Sequence, residues 1–463
     1  MPNCKCNRNR KPQSKKIFIY LIMVFMLSSL PNKIFPQNKS KVHHPSWSYN
    51  QTIYEVNLRQ YTKSGSFKAF EKHLPEIKKL GAGILWIMPI NPIGVKNRKG
   101  KLGSYYSVQN YEAVNPEFGT LAEFKSLVKQ IHKMGMYVII DWVADHTSWD
   151  NVWTKQNPDF FKKDSSGNFI PPVKDWTDVI ALDYSNKKLW TAMIDAMKFW
   201  VKNYDIDGFR CDVADMVPTP FWDEARTELD KIKPVFMLAE AEKPKLQVKA
   251  FDMTYSWSLY DLMHNISLGK MNSTDVIKYF ASEEKKFPEN SFRMRFTTNH
   301  DKNSWDGTEF KIFGNAAQMF AAFIDVIPGT PLVYNGQEIG SHKQLKFFDK
   351  DTIVWKPSPF REFYSKLLHL RLNNKALLAG DEGGKPELVS SPNDKSIYSF
   401  VRERDGDKVF AIFNLSAKPV TREISNKIIK GNYIDLFSGK KTSFTDTHKF
   451  ELKPWDYLIF YKQ

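Results

Sequence analysis

The stretch from Leu121 to Asp141, LAEFKSLVKQIHKMGMYVIID, decides the fold. Leu121 to Met134 is amphipathic at helical spacing, and Met136 to Asp141 is a short β-rich run that ends on an acid. The same unit recurs on both sides of it. Further β-rich runs lie at Thr52 to Leu58, Gly83 to Met88, Asp207 to Asp212, Val235 to Glu240, Phe251 to Ser256, Arg293 to Asn299 and Thr330 to Asn335. Helical patterns such as Leu189 to Tyr204 and Phe310 to Phe323 separate them. Eight alternating strand–helix units predict an α/β chain closed as a (β/α)8 TIM barrel. An open doubly wound sheet would place a Gly-rich phosphate turn after an early strand, whereas the first strand here runs into Arg59-Gln60-Tyr61.

The barrel is assigned to residues 47–380. One connection is too long for a plain loop: Trp142 to about Ser185 has no sustained period but many turn residues and aromatics, so 142–185 is predicted to be a loop domain inserted after the third strand. After Gly380 the pattern changes to alternating runs, Ser396 to Val401, Lys408 to Asn414 and Tyr457 to Tyr461. These predict a C-terminal β-sandwich domain over 381–463.

Composition excludes several classes. The chain has 463 residues, 42% hydrophobic and 14% aromatic, which is globular and argues against disorder, collagen-like repeats and long coiled coils. The formal charge of +16 would suggest a nucleic-acid partner, but residues 1–40 hold eight Lys or Arg and no acid, so half the excess sits there. No basic helix or aromatic-basic strand pattern stands out, and no nucleic-acid role is expected.

Ile17 to Leu30 is a 14-residue apolar run behind Arg8, Arg10, Lys11, Lys15 and Lys16. It is short of the roughly 20 residues of a bilayer span and matches an export signal, assigned to residues 1–37. The protein is therefore expected to be exported, periplasmic or secreted, free of the membrane once the signal is cleaved, and monomeric. Cys4 and Cys6 leave with the signal, so Cys211 alone remains and no internal disulfide is available.

The strand ends carry the chemistry. In Gly208-Phe209-Arg210-Cys211-Asp212, residues two apart share a face, which sets Arg210 beside Asp212 inside the barrel and favours an ionised Asp212 able to attack an electrophilic carbon. A structural ion pair explains that pair, taken alone, equally well. Glu240 ends another strand run, and Asp301 follows Asn299 and His300 after a third. Acids at the C-terminal ends of barrel strands converge on one site. Paired acids suit glycoside cleavage, in which one carboxylate attacks the anomeric carbon while a protonated partner about 5 Å away donates to the leaving oxygen. Glu240 would need a raised proton affinity, which an apolar strand and the charges of Asp212 and Asp301 supply. His146 and His300 are candidates for sugar hydroxyls, and Tyr106 and Trp305 for sugar C–H faces, out of a group of loop aromatics that includes Tyr105, Tyr111 and Trp257. No HExxH helix or paired CxxC points to zinc.

Four segments in order, Asp141 to His146, Gly208 to Asp212, Met237 to Glu240 and Thr298 to Asp301, resemble the motifs of the α-amylase family, glycoside hydrolase family 13. The likeness runs from Trp47 to the end, and Gly103 to Pro116 is similar to the family segment whose aromatic platform maps onto Tyr106. The resemblance implies a retaining mechanism on α-1,4-glucans such as starch and maltodextrin, with Asp212 as nucleophile, Glu240 as general acid/base and Asp301 as stabiliser of the transition state. Arg210, His146 and His300 would line the cleavage subsite. It also implies a structural Ca2+, for which Asp145 and Asp183 are the candidate ligands. Three departures stand out: Asp145 where the family usually has Asn, Asp215 and Met216 where starch-active members carry a Lys-His pair, and the indole of Trp142. Transglycosylation, action on α-1,6 bonds or short oligosaccharides, and a silent membrane-anchored binding protein are the alternative readings.

Overall fold

The structure, a computed structural model, describes residues 40–462. The predicted export signal, with Cys4 and Cys6, lies outside the described residues, among which no helix is long and apolar enough to cross a membrane.

All eight expected barrel strands form. In chain order the strands are β1 (Ile53–Val56), β2 (Ile84–Ile87), β3 (Tyr137–Trp142), β4 (His146–Ser148), β5 (Val179–Ala181), β6 (Gly208–Cys211), β7 (Phe236–Ala239), β8 (Met253–Tyr255), β9 (Phe292–Arg295) and β10 (Thr330–Tyr334). The closed parallel barrel runs β1-β10-β9-β8-β7-β6-β3-β2, and β4 and β5 pair antiparallel outside it. Seven of the eight barrel strands are shorter than their runs in the sequence, and β3 is as long as its run but shifted by one residue; Asp212, Glu240 and Asp301 follow the ends of β6, β7 and β9 at the C-terminal rim.

The helices obey the expected amphipathicity. Leu121–Lys133 buries Phe124, Leu127, Val128 and Ile131, and Thr120 and Glu123 close a capping box at its start. The predicted helix Phe310 to Phe323 is instead two, Glu309–Phe313 and Ala317–Val326, parted at Gly314, whose φ of +56° is left-handed backbone that glycine adopts freely.

The long connection is not structureless. It holds the β4–β5 pair and the helix Trp153–Gln156, and Tyr111 packs against Trp142 and Trp153 beneath it. The buried Trp142 indole thus serves as a floor for the insertion.

The C-terminal part contains β11 (Glu387–Leu388), β12 (Ile397–Arg404), β13 (Asp407–Asn414), β14 (Val420–Ser425), β15 (Gly431–Asp435), β16 (Lys441–Phe444), β17 (Thr447–Leu452) and β18 (Tyr457–Lys462). Six form an antiparallel sheet ordered β11-β12-β13-β18-β15-β16, and β14 and β17 form a ribbon. Phe410, Phe444, Phe450 and Phe460 fill the core these two layers share. Arg402 fastens the sheet to the barrel by donating to the carbonyls of Val326, Leu378 and Gly384.

Candidate active site

Alternation on the barrel strands sends Glu55, Trp86, Asp141, Arg210 and Tyr255 to one another at the C-terminal rim. Arg210 is the hub and is wholly buried. Its Nη1 donates to Asp141 Oδ1 at 2.8 Å and Asp212 Oδ1 at 2.7 Å, and its Nε donates to the Tyr255 hydroxyl at 3.1 Å. Its Nη2 lies 2.9 Å from Glu240 Oε2, a charge contact without the alignment of a hydrogen bond. Two glycosidase-type carboxyls therefore sit on neighbouring nitrogens of one guanidinium. The side chains of Asp212 and Glu240 keep 11% and 14% of their surface exposed, enough for one edge of each to meet a ligand while the guanidinium stays beneath.

Backbone geometry sets this pairing. Gly208 has φ +151°, and a Cβ there would lie 1.9 Å from the Phe236 carbonyl oxygen, so only glycine lets β6 and β7 approach this closely. Just past Asp212, Val213 adopts φ +34°, a strained state for a β-branched residue. That twist turns its N–H onto Glu240 Oε2 at 2.9 Å.

Electrostatics separate the two acids. Burial raises Glu240, Arg210 lowers it, and the charges of Asp212 and Asp301 raise it further, to about 8. Burial likewise lifts Asp212 to about 6, against the pull of Arg210. The sequence led us to expect that Arg210 would dominate at Asp212; desolvation outweighs it. Asp212 is still mostly ionised at neutral pH while Glu240 is mostly protonated.

His300 is held on both faces. Glu55 pairs with its Nδ1, and its Nε2 lies 2.7 Å from the Tyr106 hydroxyl and 3.3 Å from Asp301 Oδ2. Burial alone would depress this imidazole, but Asp301 and Glu55 raise it to about 9. Tyr106 also donates to Asp141 Oδ2 at 3.1 Å. Asp301, with 35% of its side chain exposed, is the most open of the three acids. His146 sits with its Nδ1 2.8 Å from Asp145 Oδ1. Burial opposes its charge, and the carboxylates of Asp145, Asp212 and Asp178 more than compensate, so its proton affinity is raised.

Asp212, Glu240, Asp301, Arg210, Tyr106, His146 and His300 are thus brought to one rim, and Trp305 stands on its edge. Tyr105 and Tyr111, grouped in the sequence with surface aromatics, are buried structural residues. Sequence reasoning missed Glu55, Asp141 and Tyr255 as members of the site. A glutamate inside the apolar run of β1 was the available signal for the first, since a charge in a buried strand must face a partner.

The calcium expectation does not fit the donors present. Calcium takes six to eight oxygens. Among those nearby, the carbonyls of Val143 and His146 accept from the Tyr111 hydroxyl, that of Ala144 from the Tyr184 hydroxyl, and that of Asp145 from the Leu182 amide. Asp183 is not among the ligand-type groups that gather with Asp145, and its carboxylate accepts from the Ser185 amide. The ligand-type atoms that do gather, within 4.8 Å of one another, belong to Asp145, His146 and Asp212. A set with an imidazole nitrogen and only two carboxylates is poor for calcium, and two of its members face the cleavage position.

A closed barrel with three acids, an arginine and two histidines at its C-terminal rim defines a carbohydrate-active enzyme of the TIM-barrel class. The chain matches the α-amylase catalytic-domain profile over residues 33–179 and 173–358, and the maltogenic-amylase C-terminal-domain profile over 387–459. It belongs to the α-amylase family. The crystal structure of a noncanonic maltogenic α-amylase AmyB from Thermotoga neapolitana superposes with a TM-score of 0.81 at 30% identity, covering 89% of this chain and 99% of that one. α-Amylase 2 of Dictyoglomus thermophilum is 27% identical, covering 92% of this chain and 79% of its own. An α-1,4-glucan:maltose-1-phosphate maltosyltransferase of Picrophilus torridus is 24% identical, covering 83% and 63%.

Proposed function

We propose that the protein is a retaining glycoside hydrolase that cleaves α-1,4 bonds of starch-like glucans. The observation that carries this reading is the shared guanidinium, which holds the carboxyls of Asp212 and Glu240 side by side. This arrangement favours the close separation of retaining pairs, about 5–5.5 Å, over the wider one of inverting pairs.

Asp212 attacks the anomeric carbon as Glu240 passes its proton to the glycosidic oxygen, so the bond to the departing chain breaks with a glycosyl ester formed on Asp212. Water then enters, gives a proton to the Glu240 carboxylate and displaces Asp212, returning both groups to their starting states with the anomeric configuration kept. Asp301 and His300 face the sugar hydroxyls and the positive charge that grows on the ring. Tyr106 offers its face to the sugar, while its hydroxyl is tied to Asp141 and His300.

Likeness to a maltosyltransferase supports a second reading, in which a sugar hydroxyl replaces water in the second step. The same acids serve both. Following amylose and maltoheptaose by anomeric NMR separates them: α-configured reducing ends support hydrolysis, longer oligosaccharides support transfer, and equal rates for wild type and Asp212→Asn refute the nucleophile. We also infer export from the N-terminal sequence, to be checked by N-terminal sequencing of protein recovered outside the cytoplasm.

A further inference from the structure

We propose that Phe347 and Trp305 form a rigid aromatic shelf that binds the non-reducing side of the glucan and thereby sets how many glucosyl units remain attached to the nucleophile. The inference rests on the proposed glycosidase reading and adds to it the direction in which the substrate lies.

Among the described residues Trp305 is the one Phe, Tyr or Trp that is exposed, with 57% of its surface open. It is not isolated. Its ring lies 5.3 Å from that of Phe347, which in turn lies 6.2 Å from Tyr106 with the two planes only 10° apart. Phe348 packs edge-on against both, 5.0 Å from Phe347 and 5.9 Å from Trp305. Tyr106, bound to Asp141 and His300, is the inner end of a row that leads from the cleavage position to solvent. Flat apolar faces in steps of one ring suit the C–H faces of successive sugars.

The row is held in place. Trp305 follows β9 and Phe347 follows β10, and the two loops are stitched together: Asn303 donates to the Lys343 carbonyl at 3.1 Å and accepts from the Leu345 amide at 2.9 Å, while Gln344 donates to the Ser304 carbonyl at 2.7 Å. Arg59, in the helical turn after β1, reaches the carbonyls of Gly103 and Phe347 at 3.0 and 3.3 Å. A surface tied at this many points is ordered before ligand arrives, which lowers the entropic cost of binding.

Barrel order gives the direction. Asp212 follows β6 and Glu240 follows β7, whereas the shelf and Tyr106 are built after β9, β10 and β2, on the far side of the closed ring. Glu240 protonates the oxygen that departs, so the departing part of the glucan lies beyond Glu240. The part that stays on Asp212 must extend the opposite way, over Tyr106, Phe347 and Trp305.

Maltoheptaose carrying a label on its reducing end tests this with wild type, Trp305→Ala and Trp305→Phe. For Trp305→Ala, KM is expected to rise about tenfold with kcat little changed, the loss of one ring contact of about 1.4 kcal/mol. The labelled fragments are expected to become longer, because fewer units are held on the unlabelled side, and Trp305→Phe is expected to restore most of both. Unchanged KM and label distribution in Trp305→Ala would overturn the shelf, and shorter labelled fragments would overturn its direction. Should wild type leave maltoheptaose intact, the glycosidase reading itself fails. Titration calorimetry with maltotriose then decides the shelf separately: weaker binding to Trp305→Ala supports it, and equal binding removes it.

Discussion

Replacing Arg210 by Met would remove the guanidinium that Asp141, Asp212 and Glu240 share at 2.7–2.9 Å. At an effective dielectric of about 20, a unit charge pair 4 Å apart is worth about 4 kcal/mol, or roughly three decades of proton affinity. Asp212 stands at about 6 with the guanidinium in place, and without it should titrate near or above 8. Glu240, at about 8 and also held down by Arg210, should rise with it. Since the nucleophile acts ionised and the acid acts protonated, both limbs of the kcat/KM profile should move to higher pH. At pH 6.5 the loss should be at least about 20-fold, with part of it recovered in alkaline buffer. The assay is kcat/KM on soluble starch from pH 4.5 to 10, on protein shown by circular dichroism to be folded. Arg210→Lys, which keeps the charge but not the planar fork, should lose rate while holding its acid limb within about one pH unit of wild type. An acid limb that stays near pH 6 in Arg210→Met would show that the guanidinium does not control the nucleophile.

Glu309 is buried and raised by that burial to about 8 from an ordinary 4.5, so the folded state binds a proton that the unfolded state has lost, and stability falls as pH climbs between those values. Glu309→Gln should therefore match wild type in thermal midpoint near pH 4.5 and exceed it at pH 8, with an upper bound of about 5 kcal/mol; a gap independent of pH would contradict this. Tyr111→Phe leaves the carbonyls of Val143 and His146 without their hydroxyl donor and should cost about 1–3 kcal/mol, read as a lower denaturant midpoint at unchanged slope. Excess EDTA should leave the thermal midpoint of purified protein unchanged and added CaCl2 should not raise it; a rise on adding calcium would reinstate the oxygen-ligand site at Asp145.

The barrel and the three acids were legible because their signals are local. A β-rich run of fixed length with an acid at its end, repeated at helix-sized intervals, is a property of neighbouring residues, and the two-residue period of a strand puts Arg210 and Asp212 on one face. The insertion was legible only as a breach of that rhythm. Its β4–β5 pair joins residues more than thirty positions apart, and no local pattern announces such a pairing.

What the sequence determined by itself is therefore the set of elements, their order and the residues at their ends, since short-range periodicity and composition govern all three. Closure of the barrel decided the rest. It brought Glu55 to His300 across 245 positions and Tyr106 to the same imidazole across 194. It also buried Asp212 and Glu240 deeply enough that desolvation outweighs the arginine between them. Which calcium-type oxygens remain free, and which aromatics stay open to a sugar, followed from the same packing. These are properties of distance and dielectric, and both are set by what the folded chain places around a group, whichever residues flank it in the sequence.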